Sequence, residues 1–262
     1  MTDMGVPAPG APSALPRIGR VTLTELREAL ILGWQDFRRA PSFGLFFSAV
    51  YVLGGLALVA FGAGTLAWTL TMSLGFPLIA PFAAVGLYEV SRRIEAGRPL
   101  VWSEVLGVVL AERDRQIPWI GAIIVIAFLF WTFFAHMLFA LFMGLSTLTN
   151  VSTSWEVFLT ANGMTMIAVE LAVGGAFAFL MFSLTVVSLP LLLEREVDFV
   201  TAMLLSLRTV RENLGVMLVW AALIAVLLLA AMVPVFLGLF VALPVLGHAT
   251  WHLYRRALYD EV

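Results

Sequence analysis

Long uncharged runs alternate along this chain with shorter segments in which charged and apolar residues recur at helical spacing. The first such segment is Thr22 to Arg39, where Leu23, Leu26, Leu30, Trp34 and Phe37 fall near one face of a helix and Glu25, Glu28, Gln35 and Arg39 near the other. The pattern predicts an interfacial amphipathic helix, ended by Pro41. Ser42 to Phe61 is then uncharged for about 20 residues, the length that crosses a hydrocarbon core. Gly62, Gly64 and Thr65 predict a turn, and Leu66 to Glu89 returns through Pro77 and Pro81 into Arg92, Arg93 and Arg98.

The alternation repeats twice. A second amphipathic segment, Val101 to Gln116, stops at Pro118 and leads into a span from Trp119 to Met143. A polar loop from Gly144 to Gly163, rich in Ser and Thr, precedes a fourth span from Met164 to Leu193. Glu194, Arg195, Glu196 and Asp198 open the third amphipathic segment, whose stripe is Val200, Met203, Leu204, Leu207 and Leu214. The fifth span runs from Gly215 to Met232, Pro234 marks a turn, and the sixth returns to Arg255 and Arg256. LGFPLIAPFAAVGLYEVSRR, residues 74–93, aligns without gaps on LGLFVALPVLGHATWHLYRR, residues 237–256. The predicted fold is all-α: a polytopic membrane protein with six transmembrane helices in three parallel hairpin repeats, each preceded by a cytoplasmic amphipathic helix and set off by a breaker at Pro41, Pro118 or Gly215. Residues 1–20, rich in Pro, Ala and Gly at their start and without the features of a signal peptide, are expected to form a disordered cytoplasmic tail, and 21–262 a single membrane domain.

Composition agrees with the pattern. The 262 residues are 61% hydrophobic and 12% charged, with a mean hydropathy of +1.01, far from the roughly 25% charged residues of a soluble domain. A net charge of -2 offers no basic field for nucleic acid. The absence of cysteine excludes disulfides, thiolate metal sites and iron–sulfur clusters. Every basic residue is Arg, and the arginines fall before span one, between two and three, between four and five, and after six. The other loops have none, so the positive-inside rule puts both termini in the cytoplasm of a bacterial inner membrane.

Two stretches carry a resemblance. PFAAVGLYEVSRRIEAGRPLVWSEVL contributes Pro81, Gly86, Leu87, Tyr88, Ser91, Arg92, Arg93, Glu95 and Gly97, and LPLLLEREVDFVTAMLLSLRTVRENLGVMLVWAALI contributes Pro190, Glu194, Asp198, Ala202, Ser206 and Asn213. They resemble the signatures of an uncharacterised bacterial inner-membrane family, a domain of unknown function whose members are sometimes labelled cytochrome c oxidase subunits, and the likeness extends over nearly the whole chain after Thr22. Glu194 stands where the family often has Asp, which keeps the charge. The resemblance implies a membrane fold and location but no reaction, and three histidines are too few for a haem–copper ligand set.

Few residues are candidates for chemistry. Glu170, about two turns inside span four, is ionisable at membrane depth. Gly174 and Ala178 follow it at four-residue steps, and Thr132, His136 and Ala140 make a comparable face in span three, so Glu170 and His136 form a candidate intramembrane polar pair. Its readings are a proton relay, a counter-charge for a substrate or lipid headgroup, or a plain interhelical hydrogen bond. His248 and His252 share a helix face, and the repeat register sets Glu89 opposite His252 as a third candidate metal ligand; two His alone specify no metal, and no cofactor is expected. Arg92, Arg93, Glu194, Asp198, Arg208, Arg211 and Asn213 are candidate cytoplasmic residues for docking membrane lipids or another inner-membrane complex. Trp34, Trp102, Trp119, Trp155 and Trp251 fall near the interfaces. Nucleophile-elbow, phosphate-loop and HExxH patterns are absent. The expected role is therefore a non-enzymatic scaffold or accessory factor for a membrane complex, with a small transporter or channel using Glu170 and His136 as the alternative; the oligomeric state is left open.

Overall fold

The computed structural model describes residues 16–60, 66–144 and 158–259, with backbone alone at 58, 59 and 66–78. The described chain is all-α apart from one two-residue ladder. Helix α1 is Leu23–Arg39, α2 Pro41–Ala60, α3 Leu66–Glu95, α4 Trp102–Ala111, α5 Ile117–Met143, α6 Ala161–Thr185, α7 Ser188–Glu194, α8 Phe199–Glu212, α9 Leu214–Met232 and α10 Leu239–Ala257. Among the described residues three segments are long and apolar enough to cross a membrane: Ile117–Met143, Ala161–Glu194, which joins α6 to α7, and Leu214–Met232. Leu23–Arg39 with Pro41–Ala57 makes a fourth if that pair, bent by 101°, counts as one span. On α5 most of the apolar surface faces outward, with Phe133 and Leu141 more than two-thirds exposed, as helices facing hydrocarbon require.

The breakers act as chain physics demands, though not always at the expected residue. Pro41 and Pro118 sit in the first turns of α2 and α5, where a missing N–H costs nothing, so they start helices. The third break falls at Asn213, between α8 and α9, and not at Gly215. At the end of α3, Gly97 takes φ +64°, Arg98 N–H reaches the Arg93 carbonyl at 2.8 Å and Gly97 N–H the Ile94 carbonyl at 3.1 Å, a Schellman closure that stops the helix behind Arg92 and Arg93. Within the fourth run, Pro190 cannot supply an N–H, and the helix breaks between Thr185 and Ser188. Ser206 of α8 repairs the break: its hydroxyl accepts from Val187 N–H at 3.1 Å and donates to the Ser183 carbonyl at 2.7 Å.

Contacts between helices fix their directions. Phe47 lies against Gly86, and the Tyr51 hydroxyl donates to the Ala80 carbonyl at 3.2 Å, so α2 and α3 run antiparallel. Trp131 lies against Gly174 and stacks on Phe177, pairing α5 with α6. Between α9 and α10 the chain turns so sharply that Val235 and Phe236 take φ 52° and 64°, a left-handed conformation costly for a β-branched residue. The turn seats the Phe236 ring in a notch that the missing side chain of Gly55 leaves in α2.

Helix α10 is the centre of the molecule. Its Leu246, His248, Ala249, Trp251, Leu253 and Tyr254 are buried among α1, α2 and α3. Trp251, expected near a membrane interface, is buried inside the protein. Helix α1, expected to lie as an interfacial helix on its Leu23, Leu26, Leu30, Trp34 and Phe37 face, packs against the protein through a different face. Leu23 and Trp34 are exposed, and the buried stripe is Leu26, Ala29, Gly33 and Asp36, laid along α10. A capping box between Thr22 and Glu25 starts this helix, and the Thr22 hydrogen bonds hold the Glu25 carboxyl below its usual range. The expected tail is ordered from its last residues onward: Arg17–Ile18 pairs antiparallel with Leu258–Tyr259, and Gly19 N–H donates to the Ala257 carbonyl at 2.8 Å. Residues 1–15, the turn at Gly62 to Thr65 and Trp155 lie outside the described residues.

Candidate functional site

Four polar side chains from three helices meet at the buried end of α10. Asp36 of α1 accepts a hydrogen bond from the Ser91 hydroxyl of α3 at 2.8 Å, and its same oxygen, Oδ2, lies 2.8 Å from His252 Nε2. Ser91 Oγ is also 2.8 Å from His248 Nδ1. A carboxylate can only accept and a hydroxyl carries one proton, so with that proton given to Asp36 the Nδ1 of His248 holds the ring hydrogen. The line of bonds then runs from His248 through Ser91 to Asp36 and is met there by His252. Serine, histidine and aspartate are all present, but the serine lies between the other two and is wholly buried, so no activated nucleophile faces a substrate.

A second network closes the same end. Buried Glu89 receives Arg92 Nε and Arg93 Nε at 2.7 Å each. Arg93 also donates to the Pro99 carbonyl at 3.2 Å and to Glu104 at the start of α4, while Arg92 reaches the Leu193 carbonyl at 3.3 Å. Trp251 Nε1 donates to Glu95 at 2.9 Å, Arg255 joins Glu95 at 3.3 Å and Glu194 at 2.8 Å, and the Tyr254 hydroxyl donates to Glu194. Arg256 meets Glu28 of α1 at 2.6 Å. Helices α1, α3, α7 and α10 are thus fastened to one another through charge-assisted bonds, which are stronger than neutral ones.

Several residues expected to face a partner are turned inward by these networks. Arg93 is buried, Arg92 is partly so, and Asn213 accepts from Val21 N–H at 2.7 Å while donating to the Gly19 carbonyl at 2.9 Å and the Thr209 carbonyl at 3.1 Å. Asn213 therefore clamps the N-terminal segment onto the junction of α8 and α9. Asp198 caps α8 through Thr201 N–H at 2.9 Å, and hydrogen bonding from the Thr201 side chain and then its backbone lowers the Asp198 carboxyl below the usual range. Arg208 and Arg211 remain exposed on α8, beside exposed Val200 and Leu204.

The expected intramembrane pair is not bonded. His136 is exposed, and its Nδ1 lies 2.7 Å from the Thr132 carbonyl of its own helix. Glu170 instead lines a groove between α5 and α6, with Trp131, Gly174 and Phe177. The register explains the difference: the α5–α6 seam is held by Trp131 seated on Gly174, which leaves His136 on an outward face. The three candidate metal ligands also part company. His248 and His252 join Asp36 and Ser91, Glu89 turns to its arginines, and among the described residues no group of three His, Asp or Glu is arranged to hold a metal ion.

Residues 69–194 match the family model described as a predicted integral membrane protein, DUF2189. No curated protein and no solved structure matches the chain. The match contains the first of the two signature stretches and ends at Glu194, so it covers less than the resemblance read from the sequence. It encloses Glu89, Ser91, Arg92, Arg93, Glu95 and Glu194, yet Asp36, His248, Trp251, Tyr254 and Arg255, which bond to them, lie outside it. Asp36 escaped the sequence reading, and Ser206 entered it only as a member of the second signature stretch. The available signal for Asp36 was its place on the stripe Leu26, Ala29, Gly33, Asp36, a small-residue face that marks close helix contact.

Proposed function

We propose that this integral membrane protein is a non-enzymatic scaffold or accessory factor of a bacterial inner membrane, crossing it six times with both termini in the cytoplasm. The observation that carries the reading is the use of the signature side chains. Ser91, Arg92, Arg93, Glu95 and Glu194 hold helix ends together, the two arginines through Glu89, and none is left pointing into a reaction cavity. The transporter reading lacks comparable support, since His136 and Glu170 share no bond. A helix stands at each expected span, and α3 and α10 lie side by side in the same direction, with Ser91 beside His248 and Glu95 beside Trp251, as parallel hairpin repeats would require. The exposed Val200, Leu204, Arg208 and Arg211 of α8 supply an amphipathic surface for anionic headgroups or a neighbouring membrane complex.

The test is purification in mild detergent at native expression, with flux measured on the same material in liposomes. A stoichiometric membrane complex with no flux supports the scaffold; flux that disappears in Glu170→Gln overturns it. Because the chain has no cysteine, single cysteines report its topology directly. Those at Gly64, Asn150 and Val235 should react only from the outer side, and those at Gly97, Glu196 and Tyr259 only from the inner. Any other pattern removes the six-span reading.

A further inference from the structure

The groove between α5 and α6 has a volume of about 550 Å³ and is lined by apolar and aromatic groups, among them Phe128, Trp131 and Phe177. Among the described residues that line it, Glu170 is the one charged group. The carboxylate is half-buried and has no hydrogen bond or ion pair among the described residues. An ionised carboxylate at membrane depth is costly without a counter-charge, and His136 is held to its own helix. The cradle is also open by construction: a Cβ at Gly174 would strike the Trp131 ring at 2.8 Å, whereas one at Gly175 would meet nothing within 4 Å. Trp131 is therefore locked in place while space remains beside it.

We propose that this groove binds a lipophilic ammonium cation that enters from the bilayer, its charged nitrogen at Glu170 and its hydrocarbon part along Phe128, Trp131 and Gly175. Charge complementarity selects the cation, since a neutral or anionic amphiphile leaves the carboxylate uncompensated. Volume selects the size: the groove suits a drug-sized ligand. The aromatic lining favours an organic ammonium over a hydrated metal ion. The inference does not depend on the scaffold reading, because binding of the cation is compatible with either role.

The experiment measures radiolabelled decylammonium binding to the full chain in nanodiscs, with empty nanodiscs subtracted. Saturable binding of one cation per chain is expected, competed by unlabelled decylammonium but not by decanol or decyl sulfate. Glu170→Gln should weaken it at least tenfold, and Gly175→Leu, which grows into open space, should abolish it with an unchanged melting temperature. Non-saturable partitioning, equal competition by decanol, or full binding in folded Gly175→Leu would each overturn the proposal. Should Glu170→Gln fail to fold, the Gly175 variant and the competition series still decide.

Discussion

Gly33→Ala tests the central packing of the fold with a single methyl group. At Gly33, α1 lies so close to α10 that a Cβ would stand 2.6 Å from both the Ala249 nitrogen and the Val245 carbonyl oxygen. These are backbone atoms of a buried helix and cannot rotate away. Opening the contact to 3.4 Å, where ordinary contact begins, moves α1 by about 0.8 Å. Asp36 lies one turn further along, and its two bonds of 2.8 Å would stretch toward about 3.6 Å, beyond hydrogen-bonding range. Overpacking costs about 1–3 kcal/mol, and weakening bonds to a buried carboxylate adds about 1.5–3 kcal/mol, so a loss of about 3–5 kcal/mol is expected.

The assay is thermal unfolding in detergent of the wild type, Gly33→Ala, Asp36→Asn and the double variant. Gly33→Ala should lower Tm by roughly 10 °C at the 2–4 °C per kcal/mol typical of a chain this size. The double variant should lose less than the sum of the single losses, because the methyl group acts partly through the Asp36 bonds. A Tm within about 1 °C of wild type would show that α1 is not seated on α10. Full additivity would show that the methyl group and the carboxylate act separately.

Three further outcomes follow from other parts of the structure. Arg93→Lys should destabilise by about 2–3 kcal/mol in a denaturation series, since one ammonium cannot serve Glu89, the Pro99 carbonyl and Glu104 together; an unchanged midpoint would mean that the fork is dispensable. Val235→Gly should raise stability by about 1 kcal/mol by removing a left-handed β-branched residue whose side chain is half exposed, and a fall in Tm would refute the strain argument. The Asp198 cap has a lowered carboxyl pKa, so its contribution is present above the unfolded value and lost as pH falls through the folded one; Thr201 amide protection, corrected for intrinsic exchange, should fall there in the wild type and stay level in Asp198→Asn.

Helix positions were legible because hydrocarbon imposes a length and an absence of charge, and α5 and α9 begin and end within two residues of the expected bounds. The partners of polar residues were less so. Periodicity marks an apolar stripe, but it does not say which face meets another helix: on α1 the pattern marks Leu23 and Trp34, which are exposed, whereas the buried stripe is Leu26, Ala29, Gly33 and Asp36. Gly33 was the better guide, since the backbone approach it permits brings Asp36 to Ser91 and His252. His252 and Glu89 were joined in the sequence by assuming that a repeat of residues is a repeat of contacts. Arg92 and Arg93, at i+3 and i+4 from Glu89, are nearer in the chain and satisfy it first.

The signature residues thus have a physical account that requires no reaction. Pro190 opens a helix and Ser206 repairs it; Gly97 stops α3 where Arg92 and Arg93 must turn back to Glu89; Glu95 and Glu194 hold the far end of α10. If these residues are architectural, their effects must match those of their partners outside the matched segment. Ser91→Ala and Asp36→Asn should then cost similar stability and couple strongly in a double-mutant cycle, as should Glu194→Gln and Tyr254→Phe. A catalytic serine would behave differently: Ser91→Ala would abolish function with Tm unchanged. Equal and coupled losses of stability would leave the outward faces, and the carboxylate in the α5–α6 groove, as the places where this protein meets other molecules.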